Sequence, residues 1–361
     1  MVGWKSTETA HRIRRARKSA RTTQKAMLLA AGIGMGLTAV RYAIRRRNNF
    51  DLLGRVVVVT GGSRGLGLAL AEECARQGAV LAICARDRAE LETARDLLQR
   101  FYHTAVFADV CDVSNNDDVV GFLTGVLSRF GRIDVLINNA GVISVGPIES
   151  QTLADFEEAM DVMFWGVVYP TLCVLPHMRA RRFGRIANIT SFGGKLAAPH
   201  LIPYGAAKFA AVGFSEGMRS ELLKDRILVT TVCPGLIRTG SHLNAYFKGD
   251  NRSEFTWFSF GASTPLLSID AHRAARKIVA AIRAGDAELI ITPQAKLAAA
   301  FHGLFPGLTT DIAGLVNMLL PRAVGRSRHR GAESQTWLTR SFLQHFGQQA
   351  ARELNQLRNV S

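Results

Sequence analysis

Residues 55–78 of this 361-residue chain, RVVVVTGGSRGLGLALAEECARQG, set a β-branched run, a glycine-rich turn and an amphipathic pattern in immediate succession. The run predicts a buried strand, and LALAEECARQ (68–77), stopped by Gly78, predicts the helix that follows it. AVLAIC (79–84), TAVFADV (104–110), IDVLIN (133–138), GRIANITS (184–191), ILVTTVC (227–233) and AELIIT (287–292) read as further strands, with longer amphipathic segments between them. Continuous apolar strands crossed over by helices bury both faces of a parallel sheet. The expectation is an α/β fold, a doubly wound parallel sheet of about seven strands with right-handed crossovers.

In such a sheet the ligand sits beyond the carboxyl ends of the strands. TGGSRGLG (60–67) lies there, between the first strand and the first helix. Gly61, Gly65 and Gly67 remove the β-carbons that would block a tight turn and hold the backbone away from a pyrophosphate, whose charge the helix amino terminus favours. This is the Rossmann arrangement for a dinucleotide. The second strand ends CARDR (84–88), with Ala85 where an NAD site usually offers an acid to the ribose 2′-hydroxyl. Arg86 follows and Arg64 lies inside the glycine loop, so two guanidiniums can flank a 2′-phosphate, and NADP is preferred over NAD.

The glycine spacing, NNAG (138–141), NITS (188–191), YGAAK (204–208) and CPGLIRT (233–239) occur in one order. Together they resemble the single-domain branch of the short-chain dehydrogenase/reductase family over about residues 51–293. The resemblance implies a cofactor site lined by Gly61, Ser63, Arg64, Gly65, Leu66, Gly67, Arg86, Val113, Asn139 and Ala140. Asp112, in CDVS, would face the adenine, and Asn138 would support the central strand. Gly141 would approach the cofactor, and Pro234, Gly235 and Thr239 would lie along the nicotinamide carboxamide side. Ser191 would hold the substrate carbonyl or hydroxyl, and Tyr204 would be the general acid/base. A free tyrosine has a pKa near ~10, so it needs positive charge nearby, which Lys208 and an oxidised nicotinamide would supply. Lys208 would also hydrogen-bond the nicotinamide ribose. One position departs from the family pattern. Where the family carries an asparagine that helps hold a water in the proton relay, DVMFWG (161–166) has Met163, and a thioether donates no hydrogen bond.

The formal charge of +16 falls entirely in the two tails. Residues 1–47 hold 12 Lys/Arg against Glu8, residues 322–361 hold 7 Arg against Glu333 and Glu353, and the segment between has 26 of each sign. A neutral body argues against a nucleic-acid groove and for tails that meet an anionic surface. HRIRRARKSARTTQK (11–25) runs into AMLLAAGIGMGLTAV (26–40), with arginines again at 41 and 45–47. Fifteen helical residues span about 22 Å against a hydrocarbon core of ~30 Å, and extension to Ile44 comes close. A membrane anchor is the expectation, with an Ala/Gly-rich helix packed on the body, a cleaved signal or an Arg-rich transit peptide as alternatives. Five scattered cysteines show no disulfide or metal pattern and fit a reducing, cytoplasm-like compartment. His302 and His345 have no metal-ligand spacing either.

The segment 240–268 is rich in aromatics. Tyr246, Phe247, Phe255, Trp257, Phe258 and Phe260 can line an apolar pocket, pack a lid on the body or enter lipid. Beyond 293, KLAAAFHGLFPGL (296–308) and TDIAGLVNMLLP (310–321) are apolar, and Leu338, Phe342, Phe346 and Ala350 recur at i+4. These helices read as membrane-surface or as oligomer and domain packing. The organisation expected is a basic tail with an apolar helix (1–47), a catalytic domain (48–293) and a helical carboxyl-terminal extension (294–361). The function expected is NADP-dependent interconversion of a carbonyl and an alcohol on a lipophilic, steroid-, retinoid- or lipid-like substrate. The alternatives are a ketoacyl-type reductase and a catalytically weak cofactor-binding scaffold. A homo-oligomer is open by analogy with the family.

Overall fold

The computed structural model describes residues 38–263, 268–336 and 348–356, with isolated positions 32, 36 and 339. The chain divides into two compact units, residues 1–49 and 50–361. In the first, the described residues 38–48 are helical. The rest of the expected anchor helix lies outside the described residues, as do His345 and most of the Leu338–Ala350 stripe.

The second unit is built on seven parallel strands: β1 (Val56–Thr60), β2 (Val80–Ala85), β3 (Val106–Val110), β4 (Val135–Asn138), β5 (Gly184–Ile189), β6 (Ile227–Cys233) and β7 (Glu288–Ile290). Their spatial order is β7-β6-β5-β4-β1-β2-β3, and every neighbouring pair is parallel. Each strand coincides with a β-branched run in the sequence. The helices are α1 (Gly65–Arg76), α2 (Arg88–Tyr102), α3 (Asn116–Phe130), α4 (Leu153–Met160), α5 (Gly166–Arg181), α6 (Ile202–Leu222), α7 (Asn251–Ser263), α8 (Ala271–Ala284), α9 (Pro293–Leu304), α10 (Pro306–Asn317) and α11 (Gln348–Glu353).

Alternation along β1 assembles the two sides of the core. Val57 and Val59 join the layer that holds α1, α2 and α8, while Val56 and Val58 join the layer that holds α3 and α5. All four are buried, each worth roughly 1.5–3 kcal/mol of transfer free energy. Strand order reverses at β1 and β4, which opens a crevice at their carboxyl ends. Among the described residues one helical stretch, Leu153–Arg181, is apolar and long enough to cross a bilayer. Its most apolar window is half buried, and α5 packs into the core. Pro306, which interrupts the apolar carboxyl-terminal run, opens α10 at the first turn, where its missing N–H costs nothing.

At the opposite, amino-terminal end of the strands, Asp134 is fully buried at the entry to β4. Its Oδ2 accepts the Val56 N–H at 3.0 Å and Arg132 Nε at 2.7 Å, and its Oδ1 accepts Arg181 Nη2 at 2.7 Å. Burial alone would raise this carboxyl's pKa, but the hydrogen bonds from Arg132, Arg181 and Val56 outweigh it and hold the group below its ordinary value. Its contribution is therefore complete above the ordinary Asp value near ~4 and is lost only as pH falls toward the lower folded value. Asp134→Ala strands the Val56 N–H, whereas the arginines, about a third exposed, can turn to water. The expected loss at pH 7 is about 2–3 kcal/mol, read as a lower urea midpoint with an unchanged slope. An unchanged midpoint would refute this role.

Candidate active site

The crevice is a cleft of about 920 Å³ at the carboxyl ends of the strands. Its floor is the glycine loop. Gly67 sits so close to the Gly61 carbonyl and Asn139 Nδ2 that a β-carbon there would overlap both. Asn139 Nδ2 donates to the Thr60 and Gly61 carbonyls at 3.1 Å each, and the Asn139 N–H donates to Thr60 Oγ1 at 3.0 Å. The NNAG segment thus clamps the loop from β4. Beside it, Asn138 Nδ2 donates to Asn188 Oδ1 at 2.8 Å and to Thr171 Oγ1 at 3.0 Å, tying β4 to β5 at paired positions. The helix behind the loop begins without a side-chain cap, whereas α2, α3, α8 and α9 are capped by Asp87, Asn115, Asp270 and Thr292. An uncapped amino terminus behind a glycine turn suits an anionic ligand.

At the β2 end of the cleft, Ala85, Arg86 and Asp112 line the wall. Arg86 lies 3.9 Å from Asp112 Oδ2 and is mostly exposed. Arg64 donates to Glu90 Oε1 at 2.9 Å and to Asn244 Oδ1 at 3.2 Å. Both arginines line the cleft, but Arg64 is held by an acid.

Ser191 ends the β5 segment, and the glycines of the following turn let α6 approach it. A β-carbon on Gly193 would lie 3.1 Å from the Tyr204 ring, and one on Gly194 would lie 2.7 Å from the Lys208 carbonyl. Ser191 Oγ accepts the Gly193 N–H at 3.0 Å, and the Ser191 side chain is near enough to the Tyr204 hydroxyl to act on its pKa. Tyr204 and Lys208 share a face of α6, with Lys208 Nζ 5.9 Å from the phenol ring centroid and donating to the Ile189 carbonyl at 2.9 Å. Burial pushes the phenol up, opposed by the neighbouring Ser191 side chain. Burial lowers Lys208 to about 8, against a weaker opposing effect from Cys233.

Met163 is buried in a π-helical turn, Asp161–Trp165, between α4 and α5. It packs in a cluster with Val113, Ala159, Val162 and Ala207, with Ala140 and Tyr204 against it. The Gly166 N–H reaches back five residues to the Asp161 carbonyl. A regular helix would send it to Val162.

Gly61, Ser63, Arg64, Gly65, Leu66, Gly67, Arg86, Asp112, Val113, Asn139, Ala140, Gly141, Ser191, Tyr204, Lys208, Pro234, Gly235 and Thr239 all line this one cleft. Residues 55–246 match the short chain dehydrogenase family. The chain belongs to that family. It is 34% identical over 271 residues to the dehydrogenase/reductase SDR family protein 7-like of Anopheles gambiae, covering 74% of this chain and 84% of that one. It is also 34% identical over 239 residues to 11-beta-hydroxysteroid dehydrogenase A of Sesamum indicum, covering 65% and 68%. Among solved structures, L-sorbose reductase from Gluconobacter frateurii, complexed with NADPH and L-sorbose, superposes with a TM-score of 0.61 at 26% identity, covering 67% of this chain and 97% of that one. The fold and the family's oxidoreductase chemistry on a nicotinamide coenzyme follow from these.

The aromatics of 240–268 divide three ways. Tyr246, Trp257 and Phe258 line the cleft, Phe247 and Phe255 form the buried core beneath them, and Phe260 is exposed. A buried network holds the α7 lid. Glu254 Oε2 accepts Trp257 Nε1 at 2.6 Å, and Glu254 Oε1 pairs with His200 Nδ1 at 2.7 Å. Short strand pairs at 144–145, 246–247 and 329–330 bring Arg330 to the cleft. Arg330, Glu90, Asn244 and Gln356 were not marked by any motif. His302 Nδ1 lies 2.6 Å from Thr309 Oγ1, and no metal-ligating cluster exists among the described residues.

Proposed function

We propose that this short-chain dehydrogenase is NADP-dependent and interconverts a carbonyl and an alcohol on a lipophilic substrate. The observation that carries the reading is the convergence of Ser191, Tyr204 and Lys208 on the cleft that the glycine loop floors. Bound nicotinamide supplies the hydride donor or acceptor. Ser191 orients the substrate oxygen, and Tyr204, kept protonated by its surroundings, donates the proton to a carbonyl being reduced. Lys208 offers the nearby positive charge that favours the developing phenolate. Ala85 at the β2 tip, with Arg64 and Arg86 beside it, supports NADP over NAD, as does the NADPH bound by the sorbose reductase.

Substrates differ in polarity among the relatives, since sorbose is a sugar and hydroxysteroids are apolar. The lining of this cleft supports the apolar side. Val142, Ile143, Leu196, Leu201, Trp257 and Phe258 surround the catalytic groups, with Arg330 as a charged residue at the wall. Membrane association is supported by the Arg-fenced apolar run at 26–40 and by a crest on α9 and α10. Leu297, Leu304, Leu308, Leu315, Met318 and Leu319 are all more than half exposed there, followed by Arg322 and Arg326.

Purified full-length protein is expected to oxidise NADPH faster than NADH across a carbonyl panel, fastest with apolar ketones. Tyr204→Phe should lower kcat by about 10³-fold or more with little change in coenzyme affinity. Equal turnover in the mutant would remove Tyr204 from the chemistry, and coenzyme binding with no turnover by wild type would favour the scaffold reading raised by Met163. The pH profile tests Lys208. Because its charge is lost as pH rises through about 8, kcat/KM for reduction should be level below that value and fall above it. A profile level to pH 10 would contradict the assignment. For the membrane reading, the full chain should float with anionic phospholipid vesicles and lose binding at high salt; protein remaining at the bottom of the gradient would sink it.

A further inference from the structure

The carboxyl-terminal segment 351–356 comes back to the glycine loop from the far end of the chain. The Leu354 carbonyl accepts the Gly65 N–H at 2.8 Å. Asn355, in the left-handed region at φ 53°, donates Nδ2 to the Ser63 and Glu90 carbonyls at 3.1 Å each. Ala351 is buried against Gly240, and Leu354 is buried in the core layer that holds α1. Backbone, side chain and apolar anchors are all engaged, so this strap is a built wall of the cleft.

Gln356 in this wall lines the cleft and is 6% exposed. The orientation of its amide follows from donor and acceptor rules. A guanidinium only donates, so Arg64 takes the oxygen of Asn244, at 3.2 Å. Asn244 therefore turns its nitrogen to Gln356, donating to the side-chain oxygen at 2.7 Å and to the backbone carbonyl at 3.0 Å. With its oxygen taken, Gln356 presents its NH₂ group away from Asn244. That nitrogen occupies the space a β-carbon on Gly65 would fill, directly over the start of α1. Gly65, at φ +57°, is thus required by conformation and by this contact together.

We propose that Gln356 is a coenzyme-binding residue whose amide N–H donates to a pyrophosphate oxygen of the nicotinamide dinucleotide, the strap 351–356 being the wall that holds it there. The proposal rests on the coenzyme reading above and adds a partner from outside the glycine motif. Pyrophosphate oxygens only accept, and the helix start would ordinarily meet them with backbone N–H groups. Here the Gly65 N–H is committed to Leu354, and the Gln356 amide stands in the same place as a side-chain donor. Leu66 and Gly67, the next residues of the helix start, line the cleft beside it.

Calorimetry on the full chain with NADPH and with NADH tests this. Gln356→Ala should weaken both coenzymes by a similar factor, about tenfold, because pyrophosphate is common to the two. The KM of the carbonyl substrate at saturating NADPH should be unchanged. Gln356→Glu keeps the shape but turns a carboxylate oxygen toward the phosphates, and should weaken binding more than the alanine does. If Gln356 only packs the strap, glutamate is tolerated, so wild-type affinity in that variant overturns the proposal. Tighter binding by Gln356→Ala also overturns it, marking the strap as a plug that coenzyme displaces. Wild type that binds neither coenzyme removes the coenzyme reading and the Gln356 assignment together, whereas wild type that binds beside unaffected variants removes only the latter.

Discussion

The backbone N–H groups at the start of α1 have no side-chain cap of their own, and much of the cleft is arranged around that end of the helix. A helix with this many apolar contacts does not need a cap for its stability, because α1 is buried along nearly its whole length. Apart from the Gly65 N–H, which the Leu354 carbonyl takes, the donors of this first turn can therefore be kept for an anion. Holding them in place requires that the loop before the helix not move, and the clamp is long-range: Asn139 grips the Thr60 and Gly61 carbonyls from the next strand in space. Gly67 permits the close approach of loop and helix, since any β-carbon would strike the Gly61 carbonyl.

The same burial that steadies the helix sets the electrostatics further along the cleft. Tyr204 and Lys208 sit in surroundings that disfavour both charged forms, so the phenol is pushed up while the ammonium is brought down to about 8. The two shifts are opposite in direction but have one cause. Protein groups alone do not prepare a phenolate here. Lys208 is the positive charge that the pair itself supplies, and a cationic nicotinamide bound in the cleft would add a second.

The seven-stranded sheet was legible because its inner strands are buried on both faces and must be uninterrupted apolar runs; Val56–Thr60 and Ile227–Cys233 could hardly be anything else. The cleft residues were legible where a motif fixes local geometry, as at Gly67 or at Tyr204 and Lys208 one helical turn apart. Legibility ended where the contact is made across the chain. Glu90 meets Arg64 from 26 positions away, and Asn355 meets Ser63 from 292, with no periodicity to announce either. The aromatics of 240–268 show a related limit. Composition marked a lid, but only the pairing of 246–247 with 144–145 and 329–330 decides that Tyr246 faces the cleft while Phe247 fills the core.

Met163 is a place where the sequence departs from the family pattern while the backbone there is itself irregular. An asparagine at this position would spend its side chain on a hydrogen bond, whereas methionine fills the gap among Val113, Ala207 and Tyr204 with polarizable apolar surface. The π-turn across Asp161–Trp165 does not depend on that side chain. It follows from the one-residue excess that sends the Gly166 N–H to Asp161 instead of Val162, and Gly166 can sit there because it lacks the β-carbon that would collide with Val113. Such turns present carbonyl oxygens that a regular helix would consume. Val162 and Met163 of this turn line the cleft, with the Met163 side chain beside Gly141. The methionine leaves the backbone feature intact, and its side chain is spent on packing against the Tyr204 ring.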